Sequence, residues 1–289
     1  MTDLLTGVGL DRLEECRGEE AVLGPDARVL VVRGHTALLV EGAPYTEPYG
    51  EGDTGAEPPA VLLGERDGVR YGARLVTGEE AAALEARTGG RFESLRSAVA
   101  SLPPWQRGLL AFAAALLAWH RQARYCGVCG AATRSERAGH QRVCANDACA
   151  AVQFPRTDPA IITLLRRGAR ALLVRQAGWP PGRFSTLAGF VEPGESLEQA
   201  VAREVKEEVG LQVVRTAYFA SQPWPFPHTL MVGYRTEIEA GEPTLGDELD
   251  DARWFTRPEL RDDLAARRVT IPPPLSLSRS LIEDWLEDR

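Results

Sequence analysis

Glu204, Glu207 and Glu208 stand at i, i+3 and i+4, the spacing that gathers side chains on one side of a helix. The helix is predicted to start at Ser196, because Ser196 and Gln199 have the spacing of a capping box. Leu197, Ala200, Val201, Val205 and Val209 then recur at three- and four-residue steps, and Gly210 supplies a left-handed cap. On that helix Glu204 and Glu208 project into the same stripe as Leu197 and Val201, with Glu207 beside them. Like charges at this spacing repel, and charges turned towards a core are costly unless compensated. Divalent cations would compensate them, and an all-oxygen donor set suits magnesium or manganese. The competing reading, an acidic helix whose charges face water, fits poorly with carboxylates inside the apolar stripe.

A second donor set lies upstream. Cys126-Gly127-Val128-Cys129-Gly130 is a C-x2-C knuckle, and Cys144 and Cys149 follow. A turn of this kind aims two thiolates at one tetrahedral site, so a structural zinc with four cysteine ligands is expected. Fourteen residues separate Cys129 from Cys144, enough for a two-hairpin ribbon. The second pair is irregular, with four residues between its cysteines, which leaves His140 as an alternative ligand. Four thiolates leave no open coordination position, so this metal would fold the segment and catalyse nothing. Cys16 is left as a free thiol.

These elements sit in a chain of 289 residues with a net charge of −8, long enough for two or more domains. The negative balance disfavours broad binding to nucleic acid or to an anionic membrane. Lys206 is the only lysine. The first residues lack the charged and apolar segments of a signal peptide, and the longest apolar run, Leu109–Trp119, has 11 residues, too few to span a bilayer. A cytoplasmic protein that does not enter membranes is expected.

Four regions are predicted. Residues 1–104 form an α+β domain of mainly short strands, with candidates at Arg28–Val32, Ala37–Val40, Ala60–Leu63 and Val69–Leu75. Gly42–Pro59 reads as a loop, and 78–88 and 92–100 as helices. Residues 105–124 form a linking helix, apolar around most of its circumference and so buried between domains, with His120 as a surface residue or helix-terminal cation. Residues 125–153 form the ribbon, and 154–289 the domain that carries the acidic helix. There Ala160–Leu165 and Arg170–Gln176 read as a central hairpin, with further strands at 211–220, 229–238 and 252–255 and a last helix over 275–287. Between two of these strands, Ser221-Gln222-Pro223-Trp224-Pro225-Phe226-Pro227 is rigid and extended. Its aromatic rings could stack on a flat heterocycle or fill the core.

The stretch from Gly189 through Glu195 and Arg203 to Leu211 resembles the Nudix hydrolase box at every fixed position. The ribbon, the box and the SQPWPFP array, in that order, are similar to the NADH pyrophosphatase group of that superfamily. Thr229 stands where the group usually has serine, and the likeness covers roughly residues 105–289. The resemblance implies an α/β/α Nudix sandwich preceded by a zinc ribbon and a β-rich α+β domain. It also implies hydrolysis of NAD(H) to nicotinamide mononucleotide and AMP, with removal of NAD caps from RNA 5′ ends in some members.

By that resemblance Glu204, Glu208 and Glu248 ligate magnesium or manganese, and Glu207 holds a second metal or acts as base. Glu195 and Arg203 brace the loop against the helix. Phe190 and Trp224 sandwich the base with Gln222 nearby, and Phe154 and Ser278 line the pocket. The group is typically homodimeric. Two alternatives are a Nudix hydrolase of another nucleoside diphosphate derivative, such as ADP-ribose, and a non-catalytic nucleotide-binding regulator. The second normally requires losses among the box carboxylates, and none is missing here.

Overall fold

The computed structural model describes residues 9–18, 22–50 and 60–288. They fall into two compact units. One runs as far as Thr157 and takes in Trp224–His228; the other comprises Asp158–Pro223 and the chain from Thr229 onward.

The N-terminal unit contains β1 (Arg28–Arg33), β2 (Thr36–Val40), β3 (Ala43–Pro44), β4 (Thr46–Pro48), β5 (Val61–Arg66), β6 (Val69–Leu75), α1 (Gly78–Thr88), β7 (Arg91–Ser94), α2 (Leu95–Ala98) and α3 (Pro104–Gln122). Its sheet has the order β3-β2-β1-β6-β5, with β4 also on β1 and β7 on β2. β1 and β6 are parallel at its centre. Two expectations change here. The first part of the helix predicted over 92–100 is strand β7, because Arg91–Ser94 pairs with Thr36–Leu39 and the ladder overrides local propensity. Parts of the expected loop Gly42–Pro59 pair as β3 and β4, and 51–59 lie outside the described residues.

α3 starts at a proline in its first turn, where the missing N–H costs nothing. It is a core element of this unit: Leu110, Ala113 and Leu117 pack with Val32, Leu39 and Leu63 of the sheet. The ribbon strands β8 (Thr133–Glu136), β9 (Gln141–Cys144) and β10 (Val152–Gln153) belong to the same unit. Phe112 meets the His140 ring at 5.8 Å. Sheet contacts and ribbon contacts together explain why α3 is apolar almost all round.

His120 is therefore not at the surface. It is fully buried, donates from Nε2 to the Gly139 carbonyl at 2.7 Å and accepts at Nδ1 from Arg142 at 2.9 Å. Burial lowers its pKa to about 4, so it is neutral and carries no charge for the helix end.

The C-terminal unit contains β11 (Asp158–Arg167), β12 (Arg170–Gln176), β13 (Leu187–Phe190), α4 (Leu197–Val209), β14 (Val213–Trp224), β15 (Thr229–Ile238), β16 (Leu249–Phe255), α5 (Arg257–Ala265) and α6 (Leu277–Leu286), apart from Trp224 at the end of β14. The sheet order is β14-β15-β11-β12-β16, with β13 also on β11. Both faces are covered, and the strand sequences show it. Ile161, Leu165, Leu172 and Val174 pack under α4, while the intervening Ile162, Leu164, Ala171 and Leu173 pack under α6. The result is the α/β/α sandwich. β14 runs through Gln222 and Pro223, further than the expected strand; it is an edge strand, where a missing donor is tolerated.

Candidate active site

The loop 191–196 joins β13 to α4, and both of its ends are fixed locally. Ser196 accepts from the Gln199 amide at 3.2 Å, and the Gln199 side chain accepts from the Ser196 amide at 2.7 Å, completing the capping box. Gly210 closes the helix at φ 68°. Ala200, Val201, Val205 and Val209 are wholly buried against the sheet, which fixes the rotation of α4 and hence the direction of its carboxylates.

Arg203 joins loop to helix. Its guanidinium reaches Glu195 at 2.7 and 3.1 Å, the Phe190 carbonyl at 2.8 Å, Glu204 at 2.9 Å and Glu207 at 3.1 Å. Glu195 also accepts from the Glu192 amide at 2.7 Å. The Arg203 hydrogen bonds hold the Glu195 carboxyl below the usual range, and Glu195 in turn raises the Arg203 pKa.

Glu204 and Glu208 are in the opposite condition. Burial raises the pKa of Glu204 despite its contact with Arg203. Glu208 is 7% exposed, and burial, followed by the charges of Glu204, Glu248 and Glu207, pushes it up to about 7. Two glycines permit the crowding. A Cβ on Gly189 would lie 1.9 Å from Glu204 Oε1, so only glycine lets that carboxylate rest on the end of β13. Gly246 donates to the Glu208 carbonyl at 2.9 Å, and a Cβ there would lie 2.6 Å from the Glu207 carbonyl. That close approach straps the loop carrying Glu248 to the end of α4. The largely buried Glu204 and Glu208, with the exposed Glu207 and Glu248 near enough to act on Glu208 by charge, offer oxygen donors of the kind a hard divalent cation takes. Such a cation would reverse the repulsion that raises Glu208. Lys206 lies on the exposed side of α4.

The other expected substrate residues are dispersed. Phe190 is 60% exposed at the end of β13, beside the carboxylates. Gln222 and Ser278 are 1% and 2% exposed and meet at the start of α6, with their polar atoms engaged by the protein. Trp224 belongs to the N-terminal unit, edge-on to Phe226 at 5.2 Å with the Arg96 guanidinium 5.3 Å above it. Phe154, also in that unit, is 68% exposed. Gly246 and Thr186 (a neighbour of Ser278) carry no spacing signal; long-range packing alone gives them their places.

The four cysteines converge as their spacing predicts. The sulfur atoms of Cys126, Cys129, Cys144 and Cys149 all lie within 4.8 Å of one another, a set suited to tetrahedral zinc. Each pair forms a knuckle: the Val128 amide donates to Cys126 Sγ and the Asn146 amide to Cys144 Sγ, both at 3.4 Å. The longer second spacing is absorbed by a turn in which the amides of Cys149 and Ala150 both reach the Asn146 carbonyl at 2.9 Å. His140 is engaged elsewhere, its Nε2 donating to the Leu62 carbonyl at 2.8 Å.

Comparison with known proteins agrees with both centres. Residues 155–273 match the NUDIX domain, 121–154 the NADH pyrophosphatase zinc ribbon domain, and 22–119 the NADH pyrophosphatase-like rudimentary NUDIX domain. The chain is 39% identical to a protein named NAD-capped RNA hydrolase NudC from Mycobacterium bovis, over 98% of this chain and 94% of that protein. It is 38% identical to the NAD-capped RNA hydrolase NUDT12 of Homo sapiens, over 65% of this chain and 44% of that protein. A crystal structure of a NUDIX hydrolase from Nitrosomonas europaea is similar to 57% of this chain and 92% of its own, with 20% identity and a TM-score of 0.47. With its box, its ribbon and a relative matching from end to end, the chain belongs to the zinc-ribbon NADH pyrophosphatase family of Nudix hydrolases.

Proposed function

We propose that this hydrolase cleaves the pyrophosphate of NAD(H) to nicotinamide mononucleotide and AMP, and that it acts on the same bond at NAD-capped RNA 5′ ends. The carrying observation is the placement of Glu204, Glu207 and Glu208 on one helix behind the Arg203-braced loop, with Glu204 and Glu208 largely buried, in a chain whose full-length relative is named for NAD caps. Glu204, Glu208 and Glu248 would hold magnesium or manganese, with Glu207 taking a second ion or a proton from water. Bound there, the cation would neutralise the pyrophosphate and acidify water. Arg203 and Glu195 hold the loop and its carboxylates in register. Phe190, exposed at the end of β13, would face the base. Zinc at the cysteines would be structural.

No helix among the described residues is long and apolar enough to cross a membrane. Five cysteines that form no disulfide support our reading of a cytoplasmic protein. Our reading includes a homodimer, following the family resemblance.

Turnover with magnesium or manganese should be compared for NADH, NAD⁺, ADP-ribose and a short NAD-capped RNA, with Glu208→Gln as control. AMP and the mononucleotide should appear with the wild type and not with the variant. Cleavage of ADP-ribose without cleavage of NAD(H) or the cap would replace this reading with that of a hydrolase for another nucleoside diphosphate derivative.

A further inference from the structure

The start of α6 carries a buried polar cluster. Gln222, near the end of β14, donates from Nε2 to the Leu275 carbonyl at 2.6 Å and accepts at Oε1 from the Leu277 amide at 2.9 Å. Ser276, at the N-cap position, makes no side-chain cap of its own, so Gln222 caps the helix from another element. One residue into α6, the Ser278 hydroxyl lies 2.9 Å from Ser185 Oγ and 2.9 Å from Thr186 Oγ1, and accepts from the Thr186 amide at 3.2 Å. Gln222, Ser278, Ser185 and Thr186 are all buried. Thr186 immediately precedes β13, the strand that ends in Gly189 and Phe190. The Glu204 carboxylate rests on Gly189, and the Phe190 carbonyl accepts from Arg203.

We propose that Gln222 and Ser278 are positioning residues: together they clamp the first turn of α6 between β14 and β13, and so set where Gly189 and Phe190 meet the carboxylates of α4. The inference rests on the catalytic reading above. Apolar contacts already hold α6 to the sheet, with Leu277, Leu281, Ile282 and Trp285 all buried there. Such contacts are non-directional and allow a helix to slide and turn. The amide and the hydroxyls are directional, and with every polar atom matched they fix translation and rotation at little desolvation cost. A displacement of Thr186 would pass along a strand that is paired residue by residue to β11, from Thr163↔Leu187 to Ala160↔Phe190. Gly189, which carries the Glu204 contact, is only three residues further along that strand.

The test compares Gln222→Met, Ser278→Ala and Thr186→Val with Thr186→Ser, which keeps the hydroxyl. Assays are run well below each variant's melting temperature, with zinc content checked. The first three should each lower kcat/KM by about tenfold for NADH, NAD⁺ and ADP-ribose alike. They should also weaken Mn²⁺ binding, titrated with the metal alone, and speed amide exchange in 189–195. Thr186→Ser should stay near wild type, and combining Gln222→Met with Ser278→Ala should cost less than the product of the two losses, because they break one clamp.

Loss confined to one dinucleotide would mean that Gln222 touches a base, and would overturn the proposal. So would wild-type rates, Mn²⁺ affinity and exchange in all the variants. If the wild type itself turns over none of these substrates, the catalytic reading fails. The exchange and Mn²⁺ measurements still decide whether the clamp positions the loop.

Discussion

The two units share one strand plan and differ in what it carries. β1, β2, β4, β5, β6 and β7 pair with one another as β11, β12, β13, β14, β15 and β16 do, with a parallel pair, β1/β6 or β11/β15, at each centre. In the C-terminal unit the connection from β13 to β14 contains α4 and the acidic cluster. In the N-terminal unit the corresponding segment, 49–60, is too short to hold the 189–211 stretch. The rudimentary NUDIX match over 22–119 has this physical content: the scaffold is kept, and the chemical insert is not.

The charges follow the same division. In the N-terminal unit, buried Glu47 is matched by buried Arg74 at 2.6 Å, and Arg74 also binds Glu80 at 2.5 Å. In the other unit Glu208, equally buried, faces three carboxylates that raise its pKa. One carboxylate is matched by an opposite charge; the other stands among like charges.

That contrast can be broken from either side. The largest effect is expected from Glu208→Gln, which should lower kcat by ~10³-fold or more while raising the melting temperature, since it removes a repulsion. Steady-state kinetics and a thermal melt on one preparation decide it; a lower melting temperature would argue against the conflict. Glu47→Ala should do the reverse. It takes one of two carboxylate partners from Arg74, leaving Glu80, and should reduce stability by about 2 kcal/mol in denaturant titration, with turnover per folded molecule unchanged.

Gly189→Ala sharpens the comparison within the C-terminal unit. The added methyl must displace the Glu204 carboxylate, so kcat should fall ~10²-fold with little loss of stability. The smallest effect concerns pH. His120 has a folded pKa of about 4 against an ordinary 6.5, so its contribution is intact above pH 6.5 and declines as pH falls towards 4, where the unfolded chain binds the proton first. His120 should account for about 1 kcal/mol of the stability lost between pH 7 and pH 5.5, His140 for a similar amount, and a His120→Gln variant should lose less over that interval.

Legibility in the sequence followed the range of the interactions. The box was readable because its determinants are local: Ser196 with Gln199, the apolar steps of α4, and Gly210. The cysteine ribbon was readable for the same reason, although the Asn146 turn that accommodates its wider second pair was not. His120 was misread because its burial depends on Gly139 and Arg142, contributed by the ribbon. Gln222 and Ser278 could be placed near a pocket by resemblance, but nothing adjacent to them announces the α6 clamp. Thr256 and Glu259 also have capping-box spacing, and they start α5.

Lys206 offers a practical consequence. The only lysine lies on the exposed side of the helix whose other residues hold the carboxylates. Besides the α-amino group, an amine-reactive fluorophore would have one place to attach, one turn or less from Glu204, Glu207 and Glu208. The unaltered chain thus accepts a single optical reporter beside its own acidic helix face, with no engineered cysteine and no disturbance of the four that form the ribbon.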